Sequence, residues 1–126
     1  MTVDYKRLCE SDQKLMNLIW DNEPIPSGEL ARLCLDEFGW KKSTSYTILR
    51  KLIDKGLAKN EDGMVSAAAK REEVMGLESA VFVERSFGGS LPGFLVSFLG
   101  GRRISKKEAD ELRRLIDEYE EDGDEE

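Results

Sequence analysis

Histidine is absent from the 126 residues. Its absence removes the side chain most used as a neutral-pH acid or base and as a metal ligand. Ser-His-Asp triads, His-Glu zinc helices and Cys/His zinc sites are therefore excluded. Cysteine is nearly as scarce. Cys9 and Cys34 are the two present and have no partner at metal or redox spacing, so both are expected to be free thiols in a reducing compartment. No apolar run approaches the ~18 residues of a membrane span, and the polar start MTVDYKR lacks the apolar core of an export signal. A cytoplasmic chain without membrane insertion is expected. No Gly-rich phosphate loop or nucleophile motif appears. Carboxylate pairs such as Glu72-Glu73 fall on exposed helix turns, with no apolar setting to raise a pKa. An enzyme is not expected, and no cofactor is implied.

What is present is charge, at 36% of the residues, with 26 acidic against 19 basic side chains and a formal net of −7. An acidic balance argues at first against nucleic acid, whose binders usually carry a basic excess. The distribution reverses that inference. The last nine residues, EYEEDGDEE, hold seven carboxylates and no cation, so the rest of the chain is neutral. Residues 41–59 carry Lys41, Lys42, Arg50, Lys51, Lys55 and Lys59 against Asp54 alone, a local +5.

Periodicity supplies the elements. A first helix is expected over residues 11–20, capped by Ser11 and Asp12, with Leu15, Leu18 and Ile19 on one face and Pro24 stopping the chain beyond it. A second begins at Pro26/Ser27, buries Leu30, Leu33, Cys34 and Phe38, and ends at Gly39. The third, over residues 43–55, places Ser45, Ile48, Leu49 and Leu52 on one side. Ser43, Tyr46, Thr47, Arg50 and Asp54 lie on the other. Residues 57–60 and 64–67 around a Glu61-Asp62-Gly63 turn form a short hairpin. Three short helices and a small hairpin follow the order of a winged helix-turn-helix.

The second half is helical throughout. Residues 71–87 carry Val74, Leu77, Val81, Phe82 and Phe87, and residues 91–99 carry Leu91, Phe94, Leu95 and Phe98 at helical spacing. A Ser105…Glu108 capping box opens a last helix with Leu112, Leu115, Ile116 and Tyr119 on one face. Helices this short cannot enclose a core alone. Their apolar faces either pack back on the first domain or pair with a second copy, and two-fold homodimers are the commoner solution. Phe82, Phe87, Leu91, Phe94, Leu95, Phe98, Leu112, Leu115 and Ile116 are the candidate dimer contacts.

The outward face of the third helix suits the DNA major groove. Arg50 has the fork for guanine O6/N7, Thr47 and Tyr46 offer a methyl, a ring and hydroxyls, and Lys41, Lys42, Lys51 and Lys55 are placed to hold phosphates. The hairpin opposes this, since Glu61 and Asp62 at its tip repel phosphate. Those acids leave open a winged helix turned to protein binding.

Four segments carry a resemblance. They are residues 15–20 (LMNLIW), residues 40–56 (WKKSTSYTILRKLIDKG), residues 87–91 (FGGSL) with 95–98 (LVSF), and residues 104–115 (ISKKEADELRRL). Together these resemble the penicillinase-repressor (BlaI/MecI-like) family of bacterial transcription regulators over about residues 8–119. The resemblance implies a mostly α fold: an N-terminal winged helix-turn-helix, residues 1–69, and a C-terminal helical dimerisation domain, residues 70–119, ahead of an acidic disordered tail, residues 120–126. It implies a homodimeric repressor on a palindromic double-stranded operator, with Lys42, Ser43, Thr44, Tyr46, Thr47, Arg50 and Lys51 on the reading helix. Well-studied members are inactivated when a membrane metallopeptidase sensor triggers cleavage of an Asn-Phe bond. The matching bond here is Ser97-Phe98, with serine where those members have asparagine; the resemblance implies the sensor or its effector protease as a partner. The wing lacks the family's basic and aromatic residues. The cysteine cluster of copper-responsive relatives is absent, and no metal site is expected.

Overall fold

The structure, a computed structural model, describes residues 7–121. Among them the order is α1 (Glu10–Asn22), β1 (Ile25–Pro26), α2 (Ser27–Phe38), α3 (Lys42–Asp54), β2 (Ala58–Glu61), β3 (Met64–Ala67), α4 (Arg71–Phe87), α5 (Leu91–Leu99) and α6 (Lys106–Tyr119). Contacts divide the chain into two compact units, Met1–Gly89 and Ser90–Glu126.

The first unit is built around the apolar stripes of α1, α2 and α3. Leu15, Met16 and Ile19 of α1, Leu30 and Cys34 of α2, and Ile48, Leu49 and Leu52 of α3 meet in one buried cluster. Full burial of each large aliphatic is worth about 1.5–3 kcal/mol, so this cluster dominates the stability of the unit. Leu33 and Phe38, expected inside, are half-buried at its margin. α1 starts one residue earlier than expected. Cys9 precedes the first turn, and Asp12, expected as a cap, is fully buried in the interior. Gly39 ends α2 at φ 72°, where its N–H reaches Leu35 O at 3.0 Å.

The hairpin pairs Ala58 with Ala67 and Glu61 with Met64. Its turn is tighter than expected, because Glu61 belongs to the strand and only Asp62 (φ 56°) and Gly63 (φ 87°) bridge it. Two consecutive positive φ values match the hand of twisted strands. Asn60 Oδ1 accepts from Gly63 N–H at 2.9 Å and steadies the bend. The strand β1 was not expected. It pairs Ile25 with Val65 and Pro26 with Met64, giving a three-stranded antiparallel sheet of order β1-β3-β2. Pro26 is tolerated there because β1 is an edge.

α4 packs within the first unit, burying Val74, Glu78 and Val81, while Leu77, expected on its apolar face, is 41% exposed. Trp20 Nε1 donates to Ala69 O at 3.0 Å, and Arg71 Nη2 pairs with Asp21 Oδ1 at 2.7 Å. Contacts therefore thin after Gly89, one helix later than the 69/70 boundary drawn from the sequence. Gly88 and Gly89, at φ 59° and 83°, end the helix.

In the second unit Ser90 Oγ accepts from Gly93 N–H at 2.9 Å to cap α5, and Ser105 Oγ accepts from Glu108 N–H at 3.0 Å to cap α6. Neither helix buries a single residue. Of the acidic tail expected over residues 120–126, residues 122–126 lie outside the described ones. No helix among the described residues is long and apolar enough to cross a membrane.

Candidate nucleic-acid interface

Burying Ser45, Ile48, Leu49 and Leu52 forces the opposite side of α3 into solvent. Ser43, Thr44, Thr47, Arg50 and Lys51 are all exposed there, and Ser43, Thr47 and Arg50 stack at i, i+4, i+7 along one stripe. Thr47 Oγ1 donates to Ser43 O at 2.9 Å, which holds its rotamer. Arg50 has no hydrogen bond or ion pair among the described residues, so its guanidinium fork is unspent.

The start of α3 runs against local helix chemistry. Lys41 caps it without a side-chain bond, Lys42 follows, and no acidic residue stands in the first turn. Cations at the positive end of a helix cost a few tenths of a kcal/mol to about 1 kcal/mol. The arrangement adds two lysines to unsatisfied backbone N–H groups, and an arriving phosphate relieves the conflict.

Tyr46 sits further inward than its sequence position suggests. It is half-buried against the core, with Lys42 Nζ 6.0 Å from its ring centroid. The flank differs more. Lys55 Nζ lies 2.8 Å from Asp12 Oδ2, and Lys51 Nζ lies 3.9 Å from Oδ1, with the Asp12 side chain 1% exposed. Lys55 is thus committed inward rather than free for phosphate, while Lys51 remains half in solvent. On the hairpin, Lys59, Glu61 and Asp62 are exposed.

Two carboxylates carry structure here, Asp12, expected as a cap, and Glu78, to which the sequence assigns no role. Asp12 stands on the stripe of Leu15, Met16 and Ile19, and Glu78 on that of Val74 and Val81. A carboxylate within an apolar stripe points to a buried partner.

Of the other sites, Phe82 and Phe87 are half-buried at the end of α4 with ring centroids 5.8 Å apart. Leu91, Phe98, Leu115 and Ile116 are exposed, and Phe94, Leu95 and Leu112 are half-buried. Ser97 and Phe98 lie side by side in α5, both exposed. Cys9 and Cys34 are free thiols. The Ser11 hydroxyl pulls the exposed Cys9 thiol below the usual range, and burial pushes Cys34 up. No group of three metal-ligating side chains is assembled among the described residues. The arrangement offers donors and cations on an exposed helix face, which suits binding.

The chain matches the sequence model of a family described as the penicillinase repressor over residues 8–118. It is 24% identical over 117 residues to the penicillinase repressor of Bacillus licheniformis, covering 90% of this chain and 91% of that one. Among solved structures it resembles a multiple antibiotic-resistance repressor (MarR) from Listeria monocytogenes 4b F2365. There the TM-score is 0.48 at 17% identity, covering 90% of this chain and 73% of the other. A probable transcriptional regulator from Pseudomonas aeruginosa gives a TM-score of 0.44 at 19% identity, over 88% and 77%.

Proposed function

The chain belongs to the penicillinase-repressor family and is a transcriptional repressor rather than an enzyme; from that premise we propose that it acts in the cytoplasm as a homodimer, reading a palindromic operator through α3. The observation that carries this reading is the exposed stripe of Ser43, Thr47 and Arg50 beside the uncapped, lysine-bearing start of α3. Arg50 reads a guanine edge, Ser43, Thr44 and Thr47 contact bases or phosphate, and Lys41, Lys42 and Lys51 hold the backbone. Tyr46 braces the helix from its half-buried position.

Three phosphate-holding lysines per protomer give about six contacts per dimer, and hence a log-log salt slope of about −5. Selection from a random duplex pool supplies the operator, and anisotropy titrations measure it. Arg50→Ala is expected to cost about 1–3 kcal/mol and relax one base position. Lys42→Ala is expected to weaken all sequences alike and flatten the slope by about 1. Unchanged binding in both variants would overturn α3 as the reader. A wild-type protein that binds no duplex would favour the protein-binding module suggested by Glu61 and Asp62.

Relief of repression is assigned to cleavage at Ser97-Phe98 by a protease acting under a membrane metallopeptidase sensor. Exposure of both residues on α5 supports it. Mass spectrometry during derepression is expected to show a fragment ending at Ser97, and an intact chain throughout would sink the idea.

A further inference from the structure

Glu78 lies on the buried stripe of α4 between Val74 and Val81, with its side chain 6% exposed. Three donors from the start of the chain and from α1 converge on it. Leu8 N–H reaches Oε2 at 2.8 Å, while Gln13 Nε2 and Arg7 Nε reach Oε1 at 2.9 and 3.2 Å. The Arg7 guanidinium also lies 5.5 Å from the ring centroid of Phe82, one turn further along α4. These partners are 65 to 71 residues away in sequence, so the cluster is a tertiary clasp.

Its chemistry differs from that of the residues around it. Val74 and Val81 decide which face of α4 is buried, but apolar contact is non-directional and tolerates small rotations and slides. Charge-assisted bonds to a carboxylate are short and angle-dependent, and one of these donors is a backbone N–H that cannot swing away. The clasp therefore sets the angle and register of α4 on α1. α4 is also the last element of the first unit, so its direction is the direction in which the chain leaves the winged helix.

We propose that Glu78 is a positioning residue for operator recognition: by fixing how α4 leaves the winged helix, it sets the half-site spacing that the dimer accepts. This rests on the dimeric operator-binding reading given above. The lever is long enough to matter. At 1.5 Å per residue, the 17 residues of α4 span about 25 Å. Beyond Glu78 the nine residues to Phe87 reach about 13 Å, so a tilt of about 15° there moves the far end by about 3.4 Å, the rise of one base pair. A small loosening at Glu78 is thus a whole base-pair step between two reading helices joined through such levers.

The test uses half-sites that the wild-type protein selects from a random duplex pool, rebuilt as a series with spacers lengthened or shortened one base pair at a time. The wild type is expected to favour one spacing by at least about tenfold over its neighbours, the scale of one misplaced base contact. Glu78→Gln, which keeps shape and loses charge, is expected to bring three or more adjacent spacings within about threefold of each other. Sedimentation should still show dimers, and the preferred half-site sequence should be unchanged. Should Glu78→Gln fail to fold by circular dichroism, Arg7→Gln with Gln13→Met removes two side-chain donors while leaving the carboxylate the backbone N–H of Leu8. Folded, dimeric variants that keep the sharp wild-type spacing preference would overturn the role of Glu78 alone. A wild type that selects no paired half-sites would instead overturn the operator reading, and this proposal with it.

Discussion

Asp12 faces two cations from within the core: its Oδ2 takes Lys55 Nζ at 2.8 Å, and its Oδ1 lies 3.9 Å from Lys51 Nζ. Such a pair is asymmetric in what its loss costs. Lys55→Met leaves a buried carboxylate with only the distant Lys51, a situation that typically costs about 3–5 kcal/mol. Asp12→Asn instead leaves an ammonium whose side chain is about one-third exposed and free to swing into water. About 1–3 kcal/mol is expected there, the worth of one charge-assisted hydrogen bond. Urea denaturation of both variants checks the order, and a Lys55→Met protein as stable as the wild type would show that the ion pair is not what holds the end of α3 to α1. The same geometry lowers the free charge of the surface proposed to meet DNA. One carboxylate of α1 engages two of the six cations of residues 41–59, leaving Lys41, Lys42, Arg50 and Lys59 unopposed by it.

Among the elements, α5 and α6 stand apart because neither buries any residue, although α5 is the most apolar helix of the chain by composition. Exposed apolar surface of this kind marks an interface. Phe94→Asp with Leu95→Asp is therefore expected to turn dimers into monomers in sedimentation velocity while the helical circular dichroism of the first unit persists. A wild-type protein that is already monomeric at micromolar concentration would overturn this. Most elements are legible in the sequence for a physical reason: α1, α2 and α3 each write a 3.6-residue stripe, and Gly63 marks the hairpin bend, although Glu61, expected in the turn, belongs to the strand. β1 is not legible, because a two-residue strand that follows Pro24 and includes Pro26 exists only through its pairing with Val65 and Met64. For the same reason Asp12 passed as a cap and Glu78 went unnoticed. The partners of each lie 39 to 71 positions away, so the apolar stripe flags a buried carboxylate without naming what it meets. The exposed face of α3 is legible as a stripe, but its edges are not. Whether Tyr46 and Lys55 face out or in depends on what α1 and the rest of the core place beside them.

Over the whole molecule the net charge is −7, yet the surface proposed to meet DNA is cationic, so the protein as a body repels what one face attracts. Range decides which effect is felt. Contacts between the lysines of α3 and phosphates are made at touching distance, whereas repulsion from more distant carboxylates is screened beyond about 8–10 Å at physiological salt and reaches further only in dilute buffer. Residues 120–126 contain six carboxylates and no cation, and α6 ends at Tyr119, so their removal takes the charge to −1 without cutting a helix. The truncated protein is expected to bind random-sequence duplex several-fold more tightly at about 20 mM salt, with the two affinities converging as salt approaches about 0.3 M. Discrimination between the selected half-site and random duplex should fall at low salt in step, because the gain is sequence-independent. Equal binding of both proteins at low salt would mean that the tail's charge is not felt at the interface. The acidic balance would then have no part in suppressing off-target binding, and selectivity would rest on the stripe of Ser43, Thr47 and Arg50 alone.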